Sequence, residues 1–293
     1  MADGFARELW RRVEALHAVS YFAPESIEAA QGIGLRGFWR MYFAFRAAPL
    51  GATSAGVVTA AFFGFAPRMV ERAIPDVWTM TDPDDALAAR SSSAAATLRR
   101  LAGDDIERLA DHAWAGDALG TAIAAAPAGA LPLFLANRDL SATNDPVAAL
   151  WQATTTLREQ RGDGHVALWT ARGFSPTDVA VRFVAAGGTT RDALQPHRGW
   201  TDEEWDDAVD RAVVSGHLAA DGTITDAGRT VVDAVEAETD RLAAAPFHAL
   251  DAADRDRLID ALTPAARSVT RSGLIPSVNP MGVALVGDDP ASA

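Results

Sequence analysis

The segment "RGDGHVA" (161–167) places three residue types that often do chemistry close together. Arg161, Asp163 and His165 bring a cation, a carboxylate and an imidazole into one short stretch. Glycines flank Asp163 and would let the backbone bend towards a ligand. In that arrangement Asp163 orients His165 as a general base of an enzyme, and Arg161 binds an anionic group. The alternative is a tight turn in which Asp163 caps a helix that starts at Gly164.

Both tyrosines of the chain stand four residues from a titratable or cationic side chain. His17 precedes Tyr21 in "HAVSYF", and Tyr42 precedes Arg46 in "YFAFRAAP". On a helix this spacing puts the two side chains of each pair on the same face. The pairs are therefore candidates for a ligand-binding site. The alternative is that each tyrosine packs in the core with its hydroxyl bonded to the backbone.

Arginines next to aromatic residues extend this set of candidates. An arginine beside aromatic rings suits a planar, anionic ligand, because the guanidinium both stacks on rings and binds carboxylates. Arg36, Arg198 and Trp200 meet this description. The predicted ligand-binding residues are His17, Tyr21, Arg36, Tyr42, Arg46, Arg161, Arg198 and Trp200.

No motif predicts a metal ion or a cofactor. The chain has no cysteine, no HExxH, no histidine pair at helical spacing, and no GxGxxG, GxSxG or Walker pattern. All 26 basic residues are arginine, which excludes Schiff-base and P-loop lysines. We expect neither a metal nor a cofactor. A metal site formed by His17, Asp163 and His165 is the one combination that distant residues could still build.

The charge and the apolar content limit the partners. The net charge is −13, whereas binding to nucleic acid depends on cations that neutralise phosphates. A nucleic-acid partner is therefore not expected. The N-terminus is charged throughout, and "GVVTAAFFGFAP" is too short to span a membrane. We expect a soluble, cytoplasmic protein with no membrane partner.

Helical spacing of apolar residues along most of the chain predicts a mainly α fold. The region 200–228, "WTDEEWDDAVDRAVVSGHLAADGTITDAG", has the layout of a winged helix. Thr201 and Glu204 form a capping box at the start of its first helix. Two short strands are predicted around the turn at Asp221, followed by a long helix. This small β-wing belongs to the C-terminal half of the chain.

An internal repeat predicts two related units. The stretch 57–70, "VVTAAFFGFAPRMV", aligns with 166–179, "VALWTARGFSPTDV", through a Gly-Phe-x-Pro corner. Chance similarity between alanine-rich helices is the alternative. The predicted division comprises 1–100, a degenerate winged-helix unit without its wing; 101–146, a helical linker and loop; 147–275, a complete winged-helix unit; and 276–293, a tail.

The helix that should read DNA is acidic. Six carboxylates and one arginine lie between 201 and 211, and twelve acidic residues face four arginines between Arg198 and Arg241. A recognition helix needs basic or amide groups near its N-terminal end. The favourable helix dipole there contributes only about 0.3–1 kcal/mol. The scaffold therefore looks like a DNA reader that has lost its contact surface.

The winged segment resembles the MarR family of regulators through "SGHL", the "TDAG" start of the long helix, and "ETD" within it. The whole chain is similar to an actinobacterial helix-turn-helix family, through stretches that include "HAVSYFAPE", "FGFAP", "RGWTDEEW" and "NPMG". The resemblance implies a fused pseudo-dimer, with an aromatic ligand between the dimerisation region and the winged helix. Such a chain would be a monomer or pair again as a homodimer.

Three functions remain open from the sequence. The first is a small-molecule-binding protein for an aromatic or anionic metabolite, on a scaffold that has lost most of its DNA binding. The second is a DNA-binding transcriptional regulator. The third is a cofactor-independent enzyme of specialised metabolism, with His165 and Asp163 as its catalytic residues and Arg161 or a tyrosine as oxyanion partner.

Overall fold

The computed structural model describes residues 2–287, and within them the predicted mainly α class is confirmed. The α-helices are α1 (Ala2–Phe22), α2 (Pro24–Gly32), α3 (Phe38–Ala47), α4 (Ala55–Phe62), α5 (Pro67–Glu71), α6 (Val77–Met80), α7 (Pro83–Ala102), α8 (Asp104–Asp111), α9 (Ala113–Ala125), α10 (Pro132–Arg138), α11 (Pro146–Ala171), α12 (Pro176–Ala185), α13 (Arg191–Arg198), α14 (Asp202–Val214), α15 (Asp226–Ala244) and α16 (Ala252–Arg271). Short 3-10 helices lie at Ala48–Leu50 and Ala245–Ala249. None of these described helices combines the length and apolar character needed to cross a bilayer.

The largest hydrophobic core lies between α1, α7, α11 and α16. Leu16, Leu98, Trp151 and Leu258, one from each helix, are almost completely buried in it. Burying a side chain of this size contributes about 1.5–3 kcal/mol relative to leaving it in water. Because this core uses residues from the beginning, middle and end of the chain, it holds distant segments together.

The predicted boundary between residues 146 and 147 falls at the start of the long helix α11. Asp145 caps this helix by accepting hydrogen bonds from the N–H groups of Val147 and Ala148. The helix packs against α1, α7 and α10, which precede this boundary in the chain, and against α15, which follows it. The division into 1–100, 101–146, 147–275 and 276–293 stays a prediction, and residues 288–293 lie outside the described residues.

The two Gly-Phe-x-Pro corners both join two helices, but their backbones differ, because φ is positive at Phe63 before the first corner and at Gly173 in the second. The first joins α4 to α5, and the second joins α11 to α12. In both, the proline stands in the first turn of the following helix, where its missing N–H costs no hydrogen bond. The corner residue Phe65 is buried in a second core with Phe43, Phe62 and Ile74. The corners thus share the position of the proline, and the internal repeat stays a prediction.

The segment α12 to α15 contains a helix-turn-helix but no β-wing. The capping boxes of Ser175 with Asp178 and of Thr201 with Glu204 both form, at the starts of α12 and α14. Between α14 and α15, however, the described chain has only one isolated bridge, which joins Leu218 to Ile224. The predicted pair of strands is therefore wrong.

The short connection between α14 and α15 explains why the strands do not form, although two backbone hydrogen bonds cross it, from Ala219 N to Thr223 O and from Thr225 N to His217 O. The N–H groups of His217 and Leu218 both donate to Ala212 O and terminate α14. On the other side, the Thr225 hydroxyl already caps α15. The few residues left between these helix ends can reverse direction but are too short for a ladder.

The predicted bend at the glycines of "RGDGHVA" is also wrong, because α11 continues through Gly162 and Gly164. The alternative, a tight turn in which Asp163 caps a helix that starts at Gly164, is wrong for the same reason. Gly164 instead lies against the Leu242 side chain of α15. The small residue therefore brings two helices close together.

Replacing Gly164 by Ala should stabilise the protein. A Cβ at this position would meet Leu242 Cδ1 at 3.6 Å, an ordinary contact. Alanine in a helix interior is favoured over glycine by about 0.5–1 kcal/mol. Urea unfolding should therefore show a higher free energy of unfolding for Gly164→Ala.

Gly228→Ala is the matched control, with the opposite expected sign. Its Cβ would lie 2.2 Å from His217 O, so backbone must move. Overpacking of this kind costs about 1–3 kcal/mol. If Gly164→Ala were as destabilising as Gly228→Ala, the result would contradict a regular helix through Gly164.

Candidate functional site

A cluster of buried polar side chains lies where α1, α3 and α11 meet. We call it the polar centre, and its members are Glu14, His17, Tyr21, Tyr42, Arg46, Arg158 and Glu159. Arg46 binds Glu159 through two hydrogen bonds of 3.0 and 3.1 Å, and Arg158 donates to the same carboxylate at 2.8 Å. Arg158 also reaches Glu14, at 3.3 Å. The two carboxylates are thus bound by the two arginines.

The charge of Glu159 is set by these neighbours. Its side chain is 2% exposed. Burial raises the pKa of Glu159, but the charges of Arg158 and Arg46 and the hydrogen bond from Arg46 outweigh burial and hold the pKa well below its ordinary value. Removing one partner of a buried ion pair costs about 3–5 kcal/mol, because the other charge is left unpaired. Glu159 is therefore a fixed negative charge.

The structure brings His17, Tyr21, Tyr42 and Arg46 together. His17 Nε2 lies 2.9 Å from the Tyr21 hydroxyl, and the rings of Tyr21 and Tyr42 are 5.0 Å apart. Arg46 donates to the Tyr42 hydroxyl over a long 3.4 Å. The hydroxyls thus have side-chain partners, unlike the backbone partners of the core alternative. Whether these residues bind a ligand stays a prediction.

His17 is a neutral side chain in this arrangement. Burial, aided by the charge of Arg158, lowers its pKa well below the ordinary value. Its Nδ1 is 3.0 Å from Thr155 Oγ1, which completes the hydrogen bonding of the imidazole. In a neutral imidazole one ring nitrogen donates a hydrogen bond and the other accepts one. His17 therefore donates to one of the hydroxyls of Thr155 and Tyr21 and accepts from the other.

The three polar side chains of "RGDGHVA" do not converge. Arg161 pairs with Asp240 at 2.8 Å, and His165 Nδ1 lies 3.1 Å from Thr239 Oγ1, both towards α15. Asp163 points elsewhere and accepts a hydrogen bond from Phe134 N, at the start of α10. Residues two apart on a continuous helix cannot face one partner. The expected orientation of His165 by Asp163 is therefore wrong.

The pKa values of the two residues also separate their roles. Burial lowers the pKa of His165 to about 4. Burial raises the pKa of Asp163 to about 7, against the opposing effect of the Phe134 N–H. The imidazole accepts a hydrogen bond from Trp169 Nε1 at 3.0 Å, so both its nitrogens are occupied within the protein. A general base needs a free nitrogen, and His165 lacks one in this arrangement.

Arg198 and Trp200 lie at the turn between α13 and α14, packed on the first Gly-Phe-x-Pro corner. Trp200 Nε1 donates to Gly64 O at 3.1 Å, and Ala66 N donates to Arg198 O at 2.8 Å. The Arg198 guanidinium lies 4.6 Å from the centroid of the Phe65 ring. Since Phe65 also contacts Tyr42, at 5.4 Å between ring centroids, Arg198 stands next to the polar centre.

A salt bridge fixes the same contact at the start of α14. Arg68 donates to Glu204 Oε1 at 2.9 Å and to the Gly199 carbonyl. A Cβ on Gly199 would come within 2.8 Å of Met69, so only glycine allows this approach. Residues of the first half of the chain therefore fix the turn before α14 and its residue Glu204, while Asp202 and Glu203 at the start of the helix remain exposed.

Arg36 does not belong to this group, because it is exposed in the turn between α2 and α3. Conversely, the prediction missed Arg158, Glu159 and Glu14. A signal was available for Glu159, because Trp151, Thr155 and Glu159 follow one another at four-residue intervals on the buried stripe of α11. A carboxylate on such a stripe requires a buried cation.

No metal site is present in residues 2–287, as far as groups of three or more His, Asp or Glu side chains are concerned. The combination of His17, Asp163 and His165 is not formed, since the three side chains bind Tyr21, Phe134 and Thr239.

The part of the chain around α13 and α14 consists of helices joined by short turns. The family model described as "Helix-turn-helix family" matches residues 6–276, and the chain belongs to this family. No curated protein matches the chain, and neither does any solved structure. The similarity to MarR regulators and the actinobacterial origin stay predictions.

Asp163 should make the protein less stable as the pH rises from about 4 to about 7. Its pKa is near 3.8 in the unfolded chain and about 7 in the native protein, so the native state binds the proton more tightly. Stability from this group is present at low pH and lost as the pH rises. Asp163→Asn should remove this part of the slope in urea unfolding curves measured across the range.

Asp145→Asn provides the opposite control. A hydrogen bond from Arg99 lowers the pKa of Asp145, so wild-type protein should lose stability relative to this variant as the pH falls below about 4. Parallel curves for wild type and Asp163→Asn would contradict the burial of a titrating carboxyl at the start of α10.

Proposed function

We propose that this helix-turn-helix protein binds a small anionic molecule with an aromatic ring, next to the polar centre. The binding groups are Tyr42, Arg46 and Arg198. The observation that carries the proposal is an excess of cations. Arg46, Arg158 and Arg198 are balanced by only Glu14 and Glu159, in a chain whose net charge is −13.

Arg198 is the cation without a counter-charge. Within residues 2–287 it forms no ion pair, and its strongest hydrogen bond goes to the neutral Pro280 carbonyl at 2.9 Å. Burial lowers the pKa of Arg198, and the charges of Arg46 and Arg158 lower it further. A partly desolvated guanidinium gains most from an anion that accepts two hydrogen bonds, such as a carboxylate.

Aromatic residues beside Arg198 supply the preference for a ring. Phe38, Trp39 and Tyr42 surround one another with centroid distances of 4.9 to 6.2 Å. Phe38 is 39% exposed, so a ligand can reach this group from solvent. Aromatic pairs stack with about 0.5–1.5 kcal/mol beyond the burial of their area. An aromatic carboxylate would combine this stacking with an ion pair to Arg198.

The same geometry argues against DNA reading by α14. Its carboxylates Asp202 and Asp206 are held by Arg191, and Glu204 is held by Arg68. These pairs use up the arginines that would otherwise contact phosphates. The N-terminal end of such a helix reaches base edges in DNA-binding helix-turn-helix proteins, and here it exposes Asp202 and Glu203. The turn before it is packed against Gly64 and Ala66.

A DNA-binding transcriptional regulator is the second candidate, and membership of a helix-turn-helix family favours it. Binding would then need another surface, or separation of α14 from the corner at Gly64. The third candidate, an enzyme based on His165 and Asp163, has less support because the two side chains diverge. The cytoplasmic location, the absence of a membrane partner and the monomeric or homodimeric state stay predictions.

Benzoate should bind the wild-type protein and quench or shift its tryptophan fluorescence, whereas neutral benzamide should bind much more weakly. Arg198→Ala should weaken benzoate binding by about 10- to 100-fold, as expected for the loss of charge-assisted hydrogen bonds worth about 1.5–3 kcal/mol. Arg36→Ala is the matched control, since it removes an exposed arginine. Equal binding of benzoate by both variants would refute a site at Arg198.

Gel retardation with fragments of double-stranded DNA separates the first two candidates. We expect no retardation even at low salt, because α14 presents carboxylates where phosphates would lie. A variant with Asp202, Asp206 and Asp207 changed to Asn tests whether repulsion alone prevents binding. Retardation of the wild type that weakens steeply with salt would favour the regulator.

A further inference from the structure

A second place in the fold has the features of an anion site. A cavity of about 640 Å³ lies between α7, α10 and α11. Its polar wall includes Arg90, Asn137, Gln152 and Thr156, and its apolar wall includes Leu87 and Ile123. A volume of this size is within the range of small-molecule sites. None of the residues of the proposed benzoate site lines it.

Arg90 is a buried cation with only neutral partners. The residue is 4% exposed. Its guanidinium donates to Phe45 O at 2.9 Å, to Asn137 Oδ1 at 3.0 Å and to Gln152 Oε1 at 2.9 Å. Its Nε has no hydrogen-bond partner among the described residues, and no carboxylate pairs with it there. Burial lowers the pKa of Arg90 to about 10.

The acidic residues at the cavity do not neutralise Arg90. Asp145 is bound by Arg99 through two hydrogen bonds of 2.8 Å and caps α11. Asp84 is exposed at the edge of the cavity. The other cation of the wall, Arg138, pairs with Asp139. Arg90 is therefore the arginine on the wall without an ion-pair partner in the part of the chain that the structure describes. The charge of Glu159 does act on it, but Arg46 and Arg158 already bind that carboxylate.

A purely structural role explains part of this arrangement. Arg90 fixes the carbonyl of Phe45 and stacks on Trp151, at 5.4 Å from the ring centroid. A neutral donor could make the same hydrogen bonds without the cost of a buried charge. Buried charges are normally paired, because desolvation of an unpaired ion is expensive. The uncompensated charge on a cavity wall is what points to a ligand.

We propose that this cavity binds a small organic monocarboxylate, with its carboxylate against Arg90 and its carbon chain against Leu87 and Ile123. The apolar wall favours an organic acid over an inorganic anion, which has no carbon chain to bury. This site is separate from the one proposed at Arg198 and goes beyond it. The amides of Asn137 and Gln152 keep Arg90 in position for the ligand.

Thermal unfolding with hexanoate tests the proposal, with hexanamide and inorganic phosphate as comparison ligands. Hexanoate should raise the melting temperature of the wild type saturably, because a ligand that binds only the native state stabilises it. Hexanamide and phosphate should have little effect. Arg90→Met should weaken hexanoate binding at least tenfold. Without ligand it should be less stable than the wild type, because the Phe45 carbonyl loses its hydrogen-bond donor.

Two further variants keep the test decisive. Ala149→Trp fills the cavity from an exposed position on α11 and leaves Arg90 intact, so it should abolish the hexanoate effect even if Arg90→Met does not fold. Arg198→Ala should retain the hexanoate effect while losing benzoate binding, which distinguishes failure of one site from failure of the other. No effect of hexanoate on the wild type, or the same effect in Ala149→Trp, would overturn the proposal.

Discussion

The ion pairs of Glu159 hold together α1, α3 and α11 at the polar centre. Arg46 of α3 and Arg158 of α11 both bind its carboxylate, and Arg158 continues to Glu14 of α1. A buried carboxylate is tolerated only where cations are fixed around it, so the register of α3 against α11 is constrained to this geometry. The tyrosines and His17 then fill the remaining hydrogen-bonding positions of the same cluster.

The contact between the first Gly-Phe-x-Pro corner and the turn before α14 depends on hydrogen bonds of the backbone rather than on ion pairs. The turn before α14 joins the first corner mainly through backbone groups, from Ala66 N to Arg198 O and from Trp200 Nε1 to Gly64 O. Buried backbone groups must be paired, so this contact needs close approach and glycine at 199. As a result, the turn before α14 is fixed against the first corner.

Charge is distributed unevenly between the inside and the outside. The outward face of α14 carries carboxylates, whereas Arg198, next to the polar centre, and Arg90, at the cavity, have no ion-pair partner among the described residues. An acidic surface keeps polyanions away, while interior cations favour small anions that can enter. This contrast links the proposed ligand class to the weak case for nucleic-acid binding.

The sequence alone determined the helical class, the capping box of Thr201 with Glu204, and the side-by-side placement of His17 with Tyr21. These features depend on residues within one or two helical turns, where spacing fixes the neighbours. The partner of Arg46, 113 residues away, and the neutral surroundings of Arg90 were decided by packing between helices. The failure of the wing and the straight course of α11 through its glycines also belong to tertiary structure. The helix ends of α14 and α15 leave too few residues between them for strands. The helix α11 continues through Gly164, where it packs against Leu242 of α15.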